Sequence, residues 1–256
     1  MERKGLNGTT LKIIAVVSML IDHTGLVLLR PYLLSLGITN IALQNLGSQT
    51  EHAGLVYLYF IMRGVIGRLA FPIFAYLVVE GITHTKNLTK YAMRLLAFGL
   101  LSEIPFDLAI RHQTLEFSHQ NVMFTLFLGV LALWGYETIS RQVNQKGQKA
   151  SFLPTVLALT MAIVGVVLAE LLRTDYAGVG VLVILAMYLT RDDKRVQMVV
   201  GGIALLFIEP FALLGLIPIY FYNGERGRGM KYFFYAFYPV HLLFLYCLMK
   251  LFCLEA

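Results

Sequence analysis

Asp22 and His23 stand side by side in Ser18-Met19-Leu20-Ile21-Asp22-His23-Thr24-Gly25, inside an apolar stretch long enough to cross a bilayer. Lipid offers neither group a partner, so an ionisable residue at this depth points to function unless another side chain accounts for it. Arg68 and Glu80 belong to the next apolar segment, and Ser102, Glu103 and Asp107 to the one after that. An acid at a membrane-helix centre costs roughly 2.5 to 3.5 kcal/mol. Four unpaired acids would therefore cost on the order of 10 kcal/mol, which rivals the net stability of a whole fold. These groups must pair with one another or line a wet cavity. The chemistry they suit is proton transfer: a neutral imidazole takes a proton from a hydroxyl or amine while a carboxylate orients the ring. Adjacent helical residues diverge by about 100°, so Asp22 is not expected to hold His23. Glu103 or Asp107 is expected to orient that ring, and Asp22 to pair with Arg68. Glu103 and Asp107 are four apart and share a helix face, with Pro105 between them freeing a carbonyl one turn back. Asn121 and Thr125, also four apart, would add neutral hydrogen-bonding groups to the same cavity. Structural readings stand beside these: a lone histidine can join two helices, acid–arginine pairs can be glue, and Arg63, at interfacial depth, is expected to snorkel. Glu80 can equally face the inner interface.

A second constellation is basic. His84, Lys86, Lys90 and Arg94 surround one loop, and Asn223-Gly224-Glu225-Arg226-Gly227-Arg228-Gly229 precedes the last apolar segment. Glycines expose backbone amides and arginines supply bidentate donors, which suits a nucleotide phosphate. The run matches no Walker or dinucleotide-binding fingerprint, and anchoring by positive charge with a tight turn is the competing account. The final segment continues Phe237-Tyr238-Pro239-Val240-His241, where Tyr238 and His241 lie on nearby faces beside a kinking proline. Tyr238 joins Glu80, Asn121 and Thr125 as a candidate substrate contact, and His241 joins Asn223 and the basic residues as a candidate cofactor contact. No His and Cys cluster has zinc spacing and no nucleophile elbow occurs, so no metal is expected.

The elements that must position these residues are membrane helices. Hydrophobic residues make up 58% of the 256, charged residues 14%, and the mean hydropathy is +0.71. This composition excludes an ordinary soluble domain. Apolar periodicity places helices near residues 11–30, 63–83, 91–110, 121–140, 152–172, 176–190, 196–209, 211–223 and 232–252, giving an all-α bundle of about nine spans. Alternating loops assign fifteen of the 21 Lys and Arg residues to one face, Arg3, Lys4, Lys12, Lys146, Lys149 and Lys231 among them. The positive-inside rule then sets the N-terminus in the cytoplasm and the C-terminus outside. The +6 net charge thus reports topology, and no nucleic acid partner is expected. The basic N-terminus before an apolar run resembles a signal peptide, but Asp22-His23 interrupts the run and no small-residue cleavage site follows, so a retained first helix is expected. Residues 31–62, with Gly37, Asn40, Gln44, Asn45, Gly47, Ser48 and Gln49, read as an outer loop leading into a short interfacial or re-entrant helix over Gly54–Met62. Segment 141–150 reads as a flexible cytoplasmic loop. It divides one domain, 1–256, into a motif-rich half, 1–140, and a plainer half, 151–256. Cys247 and Cys253 are too far apart along one helix for a disulfide.

A family resemblance rests on several of these runs. They are Leu11-Lys12-Ile13-Ile14-Ala15 through Ile21-Asp22-His23, Gly67-Arg68-Leu69-Ala70-Phe71-Pro72-Ile73-Phe74-Ala75, Glu80-Gly81 with His84-Thr85, and Lys90-Tyr91 with Arg94-Leu95. Ser102-Glu103-Ile104-Pro105-Phe106-Asp107-Leu108, Asn121-Val122-Met123-Phe124-Thr125-Leu126, Tyr222-Asn223-Gly224-Glu225-Arg226-Gly227 and Phe237-Tyr238-Pro239-Val240-His241 complete the set. In them the chain resembles the TraX family of integral membrane proteins, whose founding member is associated with acetylation of conjugative pilin. The resemblance implies an acyltransferase of the multi-pass cell membrane that moves an acetyl group from cytoplasmic acetyl-CoA to an amine or hydroxyl on an extracytoplasmic glycan or protein.

On that reading Lys86, Lys90, Arg94, Asn223, Arg226, Arg228 and His241 hold the donor. His23 acts as general base, or carries the acetyl group itself, with Asp22, Glu103, Asp107 and Arg68 around it. Two other classes fit the same residues. A proton- or ion-coupled transporter uses intramembrane acids and histidines as a relay, and a non-catalytic scaffold for surface-polymer assembly uses them as glue. No internal repeat is evident, which disfavours transport. Lipid surrounds the chain in every reading, and a homodimer is left open.

Overall fold

The computed structural model of the chain describes residues 5–40, 43, 51–145 and 152–254. Arg3, Lys4, Gln44, Asn45, Gly47, Ser48, Gln49, Lys146 and Lys149, on which parts of the topology and loop expectations rest, lie outside them. Among the described residues there is no strand, and nine helical elements follow in the expected order. They are α1 (Gly8–Ser35), α2 (Ala53–His84), α3 (Leu88–Phe106), α4 (Val122–Gln145), α5 (Phe152–Leu171), α6 (Ala177–Leu189), α7 (Lys194–Leu206), α8 (Pro210–Tyr220) and α9 (Lys231–Leu251).

Four of these helices are long and apolar enough to cross a membrane: α1, α2, a Val122–Arg141 stretch of α4 and a Tyr232–Leu251 stretch of α9. This is a membrane protein, but the nine crossings of the sequence reading do not follow from nine helices. At 1.5 Å per residue, the 13 residues of α6 and of α7 rise only about 20 Å, short of a hydrocarbon core of about 30 Å. Two boundaries also differ from expectation. Gly54–Met62 is no separate interfacial helix but the opening of the 32-residue α2, because no proline or polar break stops the chain there and the helix continues through the Ile61–Ile66 π turn. Residues 141–145, expected in a loop, end α4.

Three helices are locally unwound into π turns. Gly25–Leu29 interrupts α1 directly after Asp22-His23, Ile61–Ile66 interrupts α2 around Arg63, and Asp107–Arg111 extends α3 from its buried acid. Such turns occur often at functional sites, because the displaced backbone groups and widened spacing re-aim side chains.

The chain divides into two compact units. The first comprises Met1–Phe74, Leu101–Glu116 and Glu209–Ala256. It starts at a cap: the Asn7 side chain accepts from the Thr10 amide at 3.0 Å, and the 223–229 loop is tied over the same end. Leu6 N donates to Phe221 O (2.9 Å), Asn223 N to Leu6 O (2.9 Å) and Gly8 N to Glu225 O (2.7 Å). Thr9 Oγ1 donates to Arg228 O at 2.9 Å. α1 and α9 both leave this loop and meet again at His23 and His241, so they run parallel. α2 runs antiparallel to α1, with Ser18 Oγ donating to Ile66 O and Asp22 facing Arg63. The far end closes over an apolar cluster of Leu33, Ile38, Leu43 and Val56. α8, a 3-10 turn continued by one α turn, lies against α2 through Phe60 and Phe211, whose ring centroids are 5.8 Å apart.

The second unit comprises Ala75–Leu100 and Phe117–Ile208. Its frame is α4 packed along α5, with α6 against both and α7 against α6. One end is tied by Gln120 N to Arg173 O (3.0 Å) and Asp175 N to Gln120 O (2.8 Å). Towards the other end the Tyr188 hydroxyl donates to Glu137 Oε1 at 2.6 Å, and Arg141 meets Glu137 Oε2 at 3.2 Å. An open cavity of about 430 Å³ lies between Phe117, Gln120, Phe124, Leu171, Leu172 and Arg173.

Candidate functional site

His23 is the centre of the first unit's polar interior. Its Nδ1 lies 2.6 Å from Nε2 of His241, and the two rings lie edge to edge, nearly coplanar, with centroids 4.9 Å apart and planes 14° apart. His241 Nδ1 lies 2.7 Å from the Phe237 carbonyl oxygen. That carbonyl can only accept, so the His241 proton sits on Nδ1 and its Nε2 is the acceptor. His23 must then donate from Nδ1, which leaves the lone pair on Nε2. One backbone carbonyl on α9 thereby fixes the tautomer of an imidazole on α1. Tyr238, buried one residue beyond Phe237, stands with its ring 6.1 Å from His23 and 5.8 Å from His241.

Asp22 lies 4.0 Å from His23 Nε2 and 3.4 Å from Nη1 of Arg63. Asp22 is expected beside Arg68; the ion pair seen at its carboxylate is with Arg63, which the Ile61–Ile66 π turn carries onto the α1 face, while Arg68, one turn on, reaches Glu209 at 2.6 Å. Arg63, expected to snorkel, is three-quarters buried, its side chain 23% exposed. Two glycines make the approach of α1 and α2 feasible. A Cβ on Gly67 would come 2.5 Å from the Asp22 carboxylate, and one on Gly25 would come 3.2 Å from Arg63 Cγ.

Glu103 and Ser102 are buried in α3, and Asp107 is fully buried at the start of its π turn. That turn packs on α9 and on the Gly25–Leu29 turn. Asp107 Oδ2 accepts from the Glu116 amide at 2.8 Å and so closes the chain reversal after α3. Where Glu103 or Asp107 is expected to orient the His23 ring, it is His241, on the last helix, that lies at hydrogen-bond distance from Nδ1. Asn223, Arg226 and Arg228 belong to the loop over the start of α1. Both arginine side chains are exposed there, while their carbonyls face Thr9.

The remaining candidates belong to the second unit. Asn121 and Thr125 are fully buried and engaged in structure. Asn121 Nδ2 donates to Gly99 O (2.9 Å) and its Oδ1 caps α4 through Met123 N (3.0 Å). Thr125 Oγ1 bonds Thr174 Oγ1 at 3.0 Å and the Asp175 carbonyl. Glu80 Oε2 is 3.9 Å from His84. Burial pushes the Lys194 ammonium below its ordinary pKa, with Glu80 pulling the other way. Lys86 and Lys90 are exposed, and Arg94 lies over the Tyr91 ring at 5.7 Å. Among the described residues no group of His, Cys, Asp or Glu has the arrangement of a metal site.

A family profile described as "TraX protein" matches residues 7–249. The chain belongs to the TraX family. The match spans every residue of the arrangement above, from the Asn7 cap to His241. The chain is also 30% identical, over 275 residues, to the probable fimbrial assembly protein FimC, serogroup H1, of Dichelobacter nodosus, with 94% of this chain and 95% of that protein covered. No solved structure matches.

Sequence reasoning missed Arg63 and Glu209 as ion-pair partners. For Arg63 a signal was available, since it lies four residues before Gly67, the position where α2 must come close to α1. Glu209 gave none: it stands beside Pro210 at a polar break between apolar runs, where an acid is ordinary.

Proposed function

We propose that this TraX family member is a multi-pass membrane acetyltransferase that uses acetyl-CoA from the cytoplasm and an amine or hydroxyl acceptor from the other side. The observation that carries this reading is the Phe237 carbonyl–His241–His23 relay, which presents an unprotonated Nε2 from inside a membrane-length helix. In the reaction the acceptor N–H or O–H gives its proton to His23 Nε2 while its heteroatom attacks the thioester carbonyl. The C–O double bond opens to an oxyanion. Arg63, which engages Asp22 through Nη1, has further N–H donors with which to stabilise that charge. The C–S bond then breaks, the CoA sulfur takes the proton from His23, and the acetylated acceptor and CoA leave. Asp22, 4.0 Å from Nε2, stabilises the imidazolium between the two transfers. The same lone pair also suits the two-step variant, in which Nε2 first takes the acetyl group.

The fimbrial-assembly name of the relative supports an acceptor in pilus-related surface structures, whether protein or glycan. The test is incorporation of labelled acetyl from acetyl-CoA into envelope material by membrane vesicles holding wild-type protein or His23→Ala. Incorporation that depends on the protein and falls in His23→Ala is expected. Full incorporation by His23→Ala would overturn the mechanism, and ion-gradient-driven uptake indifferent to acetyl-CoA would replace it with transport.

A further inference from the structure

Lys12 has no part in the arrangement so far, yet it stands on the same helix as His23. Eleven residues separate them, about 1,100° of rotation, which returns to within about 20° of the same face after three turns. The rise between them is about 16 Å. The partner helix repeats the pattern. The Lys12 Nζ sits over the Phe234 ring of α9 at 5.6 Å, and seven residues on, again within about 20° of the same face, comes His241. Because α1 and α9 run parallel, Lys12–Phe234 and His23–His241 mark two levels of one seam.

Two further observations concern the upper level. Lys12 lies within electrostatic reach of Arg226, and the loop that carries Arg226 and Arg228 is bonded to Gly8 and Thr9 rather than left to drift. The fold thus gathers Lys12, Arg226 and Arg228 at the start of α1 with Glu225 as the one acid of that loop, a net positive end that favours an anion. Between the two levels the α9 side is aromatic. Phe233 approaches Phe237 at 6.2 Å between centroids, and Phe237 stacks on His241 at 4.7 Å. An anionic head at one level and a reactive atom at the other, about 16 Å on by the rise of α1 and about 10 Å by that of α9, joined by a slender chain, is the shape of a nucleotide phosphate with a thioester at the end of an arm.

Resting on the acetyl-CoA reading, we propose that Lys12, with Arg226 and Arg228, grips the donor's phosphates at the mouth of the α1–α9 seam, and that the arm runs along the seam to His23. The grip then needs only residues of the first unit.

The test is calorimetric titration of the purified full-length protein in detergent with acetyl-CoA and with acetylpantetheine, which carries the arm without phosphates. Lys12→Ala is expected to weaken acetyl-CoA binding about ten-fold or more, the scale of a lost charged hydrogen bond, and to leave acetylpantetheine binding unchanged. Lys12→Arg is expected to restore most of the acetyl-CoA affinity. It also serves as the measurable variant, against Lys12→Ala or Lys12→Met, should one of those fail to fold. Tight acetyl-CoA binding by wild type with no change in the neutral variants would overturn the grip and leave the donor reading standing. An equal loss for both ligands would make Lys12 a packing residue and overturn it as well. No acetyl-CoA binding by well-folded wild type would overturn both.

Discussion

The two units spend their polar residues differently. In the first, ionisable Glu103, Asp107 and His241 are buried beside Thr9, Ser18 and Ser102, and the partly buried Asp22, His23, Arg63, Arg68 and Glu209 pair where helices depart from α geometry. In the second, no π turn occurs among the described residues. Its deepest polar groups, Asn121, Thr125, Thr174 and Gln197, are neutral and bonded to backbone or to one another. A neutral group bonded to a carbonyl stabilises by about 1 kcal/mol and asks nothing more. A buried ion pair at a distorted turn is weak as stabilisation, because desolvation offsets the attraction. Its persistence needs another reason, and the proton transfer proposed above would be one.

Substitutions can break this contrast. The largest effect is expected for His23→Ala, which removes the Nε2 lone pair: acetyl transfer should fall by roughly 10² to 10⁴-fold with acetyl-CoA affinity little changed. An unchanged rate of labelled acetyl incorporation would move the chemistry out of the first unit. His241→Phe keeps an aromatic ring at that position but removes the acceptor that fixes the His23 tautomer. Transfer should drop about ten-fold or more, because the proton is then free to sit on either His23 nitrogen; an unchanged rate would show the relay to be packing only.

Gly67→Ala places a methyl group against the Asp22 carboxylate. It should lower stability by about 1 to 3 kcal/mol, as overpacking does, and reduce transfer along with it. Thermal unfolding read beside the transfer assay checks both. The smallest change in activity is expected in the second unit. Thr125→Val should cost about 1 to 3 kcal/mol of stability by leaving partners unsatisfied while the surviving folded protein transfers at the wild-type rate. A rate loss beyond the folded fraction would restore Thr125 to the substrate-contacting role that its spacing suggested.

Much of the first unit was legible in the sequence, and the failures have physical causes. Asp22 and His23 were visible because charge in an apolar run has few explanations. His241 was visible as a motif but was assigned to the donor, since nothing in a linear string sets residue 241 beside residue 23. The Asp22–Arg63 contact was not legible, because the sequence reading assumed unbroken α spacing through residues 61–66 and a π turn has no composition of its own. The nine helices were legible from apolar runs, whereas which of them cross was not: a 13-residue apolar helix and half of a broken span read alike. Asn121 and Thr125 looked like cavity residues because helix spacing gives a shared face without saying what that face meets.

The histidine pair joins positions 218 residues apart, from the first helix and the last. At synthesis rates of about 5 to 20 residues per second, His23 waits roughly 10 to 45 s after it is made before His241 exists to hold it. Asp22 waits far less, since Arg63 follows 41 residues later and can neutralise it as soon as the first helical hairpin inserts. The acid is thus paired early in biogenesis, while the histidine pair forms only once residue 241 has been made, so that a nascent chain short of α9 lacks it.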